Sequence, residues 1–146
     1  MGRLLAHYRL KLNDVLESHR VALAQSGGLN GVRDYGLIES AIARPFSGHH
    51  RWMRFKAAAL TESLVKNHGF IDGNKRTALL ALSLFLDRSG YELFSPDGAL
   101  SGASLSQEEL KNLLVFEAEY LVLGVAENRI SFADLVIWFG AHLRRR

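Results

Sequence analysis

Asn74-Lys75-Arg76-Thr77-Ala78-Leu79-Leu80-Ala81-Leu82-Ser83-Leu84-Phe85-Leu86-Asp87-Arg88 is the stretch on which the fold turns. Beyond its first turn it is apolar nearly all round, and a helix of that composition is normally enclosed by other helices. The apolar run falls far short of the roughly 18 residues that a membrane span needs. It therefore reads as the central helix of a bundle. Ser89-Gly90 closes it, and Tyr91 to Phe94 follows as a short extended piece.

Outward from this helix, the apolar residues keep a helical period. Met53, Ala57, Leu60 and Leu64 form one stripe, predicting a helix over Trp52 to Asn67. A first helix is expected from Asn13 to Gln25, stopped by Ser26-Gly27-Gly28. Asp34 is placed to cap a short helix that ends before Pro45, with Phe46 to His50 as loop. After a loop from Ser95 to Ser104, the stripe Leu110, Leu114, Ala118, Leu121 and Val125 predicts a long helix over Ser106 to Ala126. Ser131 with Asp134 forms a capping arrangement for a last helix carrying Phe132, Leu135, Val136 and Phe139. The expected fold is all-α, one domain over residues 1–146, with at most a minor β element.

Composition narrows the function classes. With 146 residues, 48% hydrophobic, 23% charged and two prolines, the chain has the makings of one globular core. The absence of Cys excludes a disulfide framework, a thiolate zinc site and a catalytic thiol, and suits a reducing compartment. Arg3, His7, Arg9 and Lys11 interrupt any secretory pattern at the start, so the cytoplasm is the expected location and no membrane partner is expected. The net charge is +3, but without Arg144, Arg145 and Arg146 there are 15 basic and 15 acidic residues. The basicity thus reads as a solvated tail, and no direct nucleic-acid partner is expected.

The chemical message lies in His68-Gly69-Phe70-Ile71-Asp72-Gly73-Asn74-Lys75-Arg76-Thr77. Two cations sit in the first turn of the central helix, where unpaired backbone N–H groups and the helix dipole already favour an anion. Phosphates are the natural guests. Gly73, without a Cβ, lets the backbone approach such a group. Asp72 would repel a phosphate unless a hard divalent cation bridges the two, so Mg²⁺ is implied. His68 is the nearby side chain able to accept a proton from a hydroxyl near neutral pH. The segment is not a Walker A loop, and His68 with Asp72 supplies too few ligands for zinc.

The run HGFIDGNKR resembles the signature of the Fic/Doc (Fido) superfamily, and Lys75 marks the Doc branch, the death-on-curing toxins of bacterial toxin–antitoxin modules. Gly31 to Pro45 and Arg76 to Leu93 resemble the same family, and residues 8 to 143 fit its length and helical order. Many members carry Pro where this chain has Gly69, so a looser loop is expected. The resemblance implies a Fido-type bundle that holds ATP and Mg²⁺ and transfers the γ-phosphate to a protein hydroxyl, by analogy a threonine of elongation factor Tu. In this scheme His68 deprotonates the hydroxyl and Asp72 holds Mg²⁺. Gly73 and Asn74 shape the anion nest, Lys75 selects the nucleotide orientation, and Arg76 neutralises charge on the transferred group. Phe70 anchors the loop. Arg33 and Asp34 are expected to be structural, as ion partner and helix cap.

His49, His50, Trp52 and Arg54 fall where the family has a target-aligning flap, and none is assigned a site role. The inhibitory helix of many Fic proteins has its nearest candidate in Ser104 to Glu108, but Glu109 breaks the pattern. A separate antitoxin, whose tail folds onto a groove, is therefore the expected partner. The alternatives are a Fic-type AMP transferase and a non-catalytic nucleotide- or partner-binding module.

Overall fold

The computed structural model describes residues 6–96 and 106–146. Six α-helices appear among the described residues: α1 (Leu12–Ser26), α2 (Tyr35–Ala43), α3 (Met53–Lys66), α4 (Asn74–Arg88), α5 (Gln107–Ala126) and α6 (Phe132–His142). A 3-10 turn at Arg44–Phe46 extends α2, in the place expected to open a loop. Residues 97–104 of the expected loop, including Ser104 of the inhibitory-helix candidate, lie outside the described residues. Among the described residues no helix is long and apolar enough to cross a membrane.

The starts of α2, α5 and α6 follow from side chains that satisfy backbone donors a helix leaves unpaired, whereas α4 begins without such a cap. Asp34 accepts from Leu37 N–H at 3.2 Å. Ser131 accepts from Asp134 N–H while Asp134 accepts from Ser131 N–H, the reciprocal box read from the sequence. Ser106 and Glu109 close the same box on α5. Losing one such acceptor typically costs about 1 kcal/mol. Asp34→Ala is accordingly expected to lower stability by about that amount in urea melts, and a change below about 0.2 kcal/mol would show that the cap carries no weight.

The central place expected for α4 belongs instead to α3, the most enclosed element, which packs against α2, α4, α5 and α6. Its stripe of Met53, Ala57, Leu60 and Leu64 is buried, and the run Ala57-Ala58-Ala59 is fully buried. Small side chains there let neighbouring helices approach closely. Helix α4 lies beside it and packs on α1, α3 and α5. Ala78, Ala81, Leu82, Phe85 and Leu86 enter the core, with the Phe85 ring edge-on to Phe46. Leu79, Leu80 and Leu84 are only half-buried. The all-round apolar character of α4 thus serves two surfaces: one face fills the core and the other lines an open groove.

The minor β element is a two-stranded antiparallel pair, β1 (Tyr91–Leu93) with β2 (Leu143–Arg145), in the register Tyr91↔Arg145 and Leu93↔Leu143. The solvated-tail expectation is therefore corrected in one respect: Arg144, Arg145 and Arg146 are exposed to solvent as expected, but they are tied to the fold and do not form a free tail. Arg144 pairs with Glu92 at 2.8 Å and Arg146 with Asp87 at 2.9 Å, while Arg145 donates to the Tyr91 hydroxyl. Strand pairing supplies backbone partners that an isolated run of arginines lacks.

Candidate functional site

The segment from His68 to Gly73 crosses from the end of α3 to the start of α4 and is held at almost every residue. Phe70 is 3% exposed, and Asn74 brackets it, accepting from Phe70 N–H at 3.0 Å and donating to Phe70 C=O at 2.9 Å. Ile71 N–H donates to the Gly31 carbonyl at 3.1 Å. The Gly69 carbonyl accepts from Arg33 and Asp34 N–H at 2.8 and 3.1 Å. A side chain at Gly69 would run into Ile38. The looser loop expected at Gly69 is not found: the glycine is buried and pinned because α2 packs directly on it.

Arg33 is structural as expected, but its partner is not Asp34. Its guanidinium donates to the carbonyls of His68 at 2.6 Å and Asn67 at 2.9 Å. A cation is favourable there, since the last carbonyls of α3 lack helical partners and carry the negative end of its dipole. The clamp holds His68 at φ +50°, with the residue exposed to solvent.

At the other end of the loop, Gly73 adopts the left-handed conformation, φ +77°, immediately before α4. The first helical bond of this end runs from Thr77 N–H to Gly73 C=O at 2.9 Å, so the N–H groups of Asn74, Lys75 and Arg76 stand ahead of it. The Asp72 carboxylate accepts from Leu29 N–H at 3.0 Å and Gly73 N–H at 2.8 Å. These two backbone bonds, the first from Leu29, hold its pKa below the ordinary carboxylate value, with Lys75 adding to the effect. A depressed carboxylate pKa means the charged form, and any anchoring it provides, is fully present above the ordinary value near 3.8 and is lost as pH falls through the lowered one. An NMR titration of the Asp72 carboxyl is expected to find its midpoint below 3.8, and a midpoint above it would contradict the two-donor clamp.

Asp72, Gly73, Asn74, Lys75 and Arg76 all line one open cavity of about 480 Å³, closed on its far side by Ser26 to Gly28 and by Glu119, Val122 and Leu123 of α5. His68 is not among the residues that line it. Arg76 meets Glu119 across the cavity at 3.7 Å. Both side chains are over two-fifths exposed, and a contact of that kind contributes little. A second cavity, of about 700 Å³, shares Arg76, Leu79 and Glu119 with the first and continues between α4 and α5 past Leu80, Leu86 and Leu114 to Leu93.

A family model described as Fic/DOC matches residues 9–86 of the chain, which is more than half of it and includes the whole of this loop. The chain belongs to the Fic/DOC family. It is also 45% identical over 89 residues to a Toxin Doc of Mycolicibacterium smegmatis, covering 58% of this chain and 66% of that protein, just under two thirds of it. The Fic/DOC match ends within α4, so α5, α6 and the β pair lie beyond it.

Two contributors to this Fic/DOC loop carry no signal in the sequence. Gly27-Gly28 reads only as a helix stop, yet a Cβ at Gly28 would stand 2.8 Å from the Asp72 carboxylate, so glycine there lets the Leu29 amide reach it. His19 sits mid-helix in α1 and is 5% exposed, with its Nε2 2.9 Å from the Asp72 carbonyl.

Proposed function

We propose that this chain is the toxin of a toxin–antitoxin pair, and that it transfers the γ-phosphate of ATP to a protein hydroxyl, by family analogy a threonine of elongation factor Tu, so arresting translation in the cytoplasm. The observation that carries this reading is the convergence of one clamped carboxylate, two cations and the free N–H groups of a helix start on one open cavity. Phosphoryl transfer is mainly positioning and charge neutralisation, which is what such a set of groups supplies.

The donor set suits Mg²⁺ better than a fully protein-bound metal. Among the described residues no cluster of three or more His, Cys, Asp or Glu is present, and Mg²⁺ is commonly held by one or two carboxylates together with substrate phosphates and water. Asp72 would hold the ion, which would neutralise phosphate charge. Each Asp72 oxygen accepts one backbone N–H, leaving lone pairs free for the metal. Gly73 and Asn74 shape the phosphate nest, the latter through its bonds to Phe70. Lys75 sets which phosphate faces outward, and Arg76, loosely held by Glu119, turns to the transferred group. His68, exposed before the nest, takes the proton of the incoming hydroxyl.

The antitoxin reading draws on the 700 Å³ groove, whose leucine-rich lining between α4 and α5 suits an amphipathic segment that folds on binding. A partner lying there would reach Arg76, which both cavities share. A non-catalytic module would have drawn support from a loose loop at Gly69, and that support is gone.

The test uses the purified chain with Mg²⁺, elongation factor Tu and ATP labelled at either the γ or the α phosphorus. Label from the γ position is expected on the factor. Label from the α position alone would replace the kinase by an AMP transferase, and no transfer of either kind would overturn the enzyme reading.

A further inference from the structure

We infer that His19 of α1 is the positioning residue that sets the Asp72–Gly73 peptide plane, and with it the aim of the Asp72 carboxylate; the inference rests on the role proposed for Asp72. A carbonyl oxygen only accepts, so the 2.9 Å contact requires His19 Nε2–H to donate to the Asp72 carbonyl. The N–H of the same peptide unit, on Gly73, donates to Asp72 Oδ1 at 2.8 Å. One peptide plane is thereby held at both ends, the carbonyl by α1 and the amide by the carboxylate itself.

Gly73 makes this hold necessary. At φ +77° it occupies a conformation open to glycine, but glycine adopts negative φ about as readily, and the plane before it can flip. A flip would turn the Asp72 carbonyl toward its own carboxylate and withdraw the N–H that anchors Oδ1. Only the Leu29 bond would then remain on the carboxylate. His19 blocks this by donating from a fixed position. Its ring stacks on Phe70, with centroids 3.9 Å apart and planes within 9°, and would lie 3.7 Å from a Cβ at Gly73. Phe70 is in turn bracketed by Asn74. The imidazole thus ties the loop's apolar anchor to its acid.

The variants separate hydrogen bonding from packing. His19→Phe keeps a ring to stack on Phe70 and removes the donor. His19→Gln loses the ring and offers an amide N–H near the place of Nε2. The measurements are Mg²⁺·ATP titration and the ¹H–¹⁵N NMR signal of Gly73. His19→Phe is expected to weaken nucleotide binding about tenfold, the scale of one hydrogen bond, and to move the Gly73 amide signal. His19→Gln is expected to recover most of both. Wild-type binding and an unmoved Gly73 signal in His19→Phe would overturn the inference, as would a His19→Gln variant as impaired as His19→Phe, which would leave only packing. If the wild-type chain binds no Mg²⁺·ATP, the proposed function fails instead, and the Gly73 signals of the two variants alone decide whether His19 sets the peptide plane.

Discussion

His68→Ala is expected to lower the rate of phosphate transfer by about 10³-fold, within the range a positioned general base contributes, while Mg²⁺·ATP binding stays within about twofold of wild type. The split follows from placement: His68 lies outside the cavity formed by Asp72 to Arg76. A second substitution removes the ambiguity between chemistry and folding. His68 is held at φ +50°, a region that few residues other than glycine occupy and that stores about 1–3 kcal/mol of strain. His68→Gly removes the imidazole and relieves the backbone together. It is expected to be at least as stable as wild type in thermal melts and as inactive as His68→Ala. An active His68→Gly protein would show that the imidazole is dispensable.

The largest loss of stability is expected from Phe85→Ala. Phe85 is 1% exposed on the core face of α4, edge-on to Phe46. Removing such a ring leaves a cavity that tightly packed helices only partly refill, at a cost of about 3–5 kcal/mol. That is a large share of the roughly 5–15 kcal/mol that holds a typical domain together, and the melting temperature should fall by roughly 10–15 °C. Leu80→Ala on the same helix is the control. Leu80 lines the open groove, so its loss should cost less than about 1 kcal/mol. Equal losses from the two variants would contradict the assignment of one core face and one groove face to α4.

The helical order was readable because its signals are local. The α3 stripe spans three turns, the Ser131–Asp134 box spans four residues, and HGFIDGNKR is continuous. The fold class and the minor β element followed from such patterns. What stayed hidden depends on contacts between distant residues. Arg144 finds Glu92 across 52 positions, and a run of arginines has no periodicity to announce a strand. Arg33 reaches His68 across 35 positions, and His19 reaches Asp72 across 53. A single polar residue within a helix looks the same whether it faces water or clamps a loop. The second face of α4 was hidden for a different reason, since leucines that line a groove and leucines that fill a core are the same letters.

The central claim is that the mouth of α4 seats a triphosphate with its metal on Asp72. The most direct measurement is a crystal structure of the chain soaked with a non-hydrolysable ATP analogue and Mg²⁺. The phosphates are expected against the N–H groups of Asn74, Lys75 and Arg76, with Mg²⁺ on the Asp72 carboxylate and the Arg76 guanidinium swung from Glu119 to phosphate. An empty cavity at saturating nucleotide, or phosphates bound with Asp72 still facing only Leu29 and Gly73, would contradict the account.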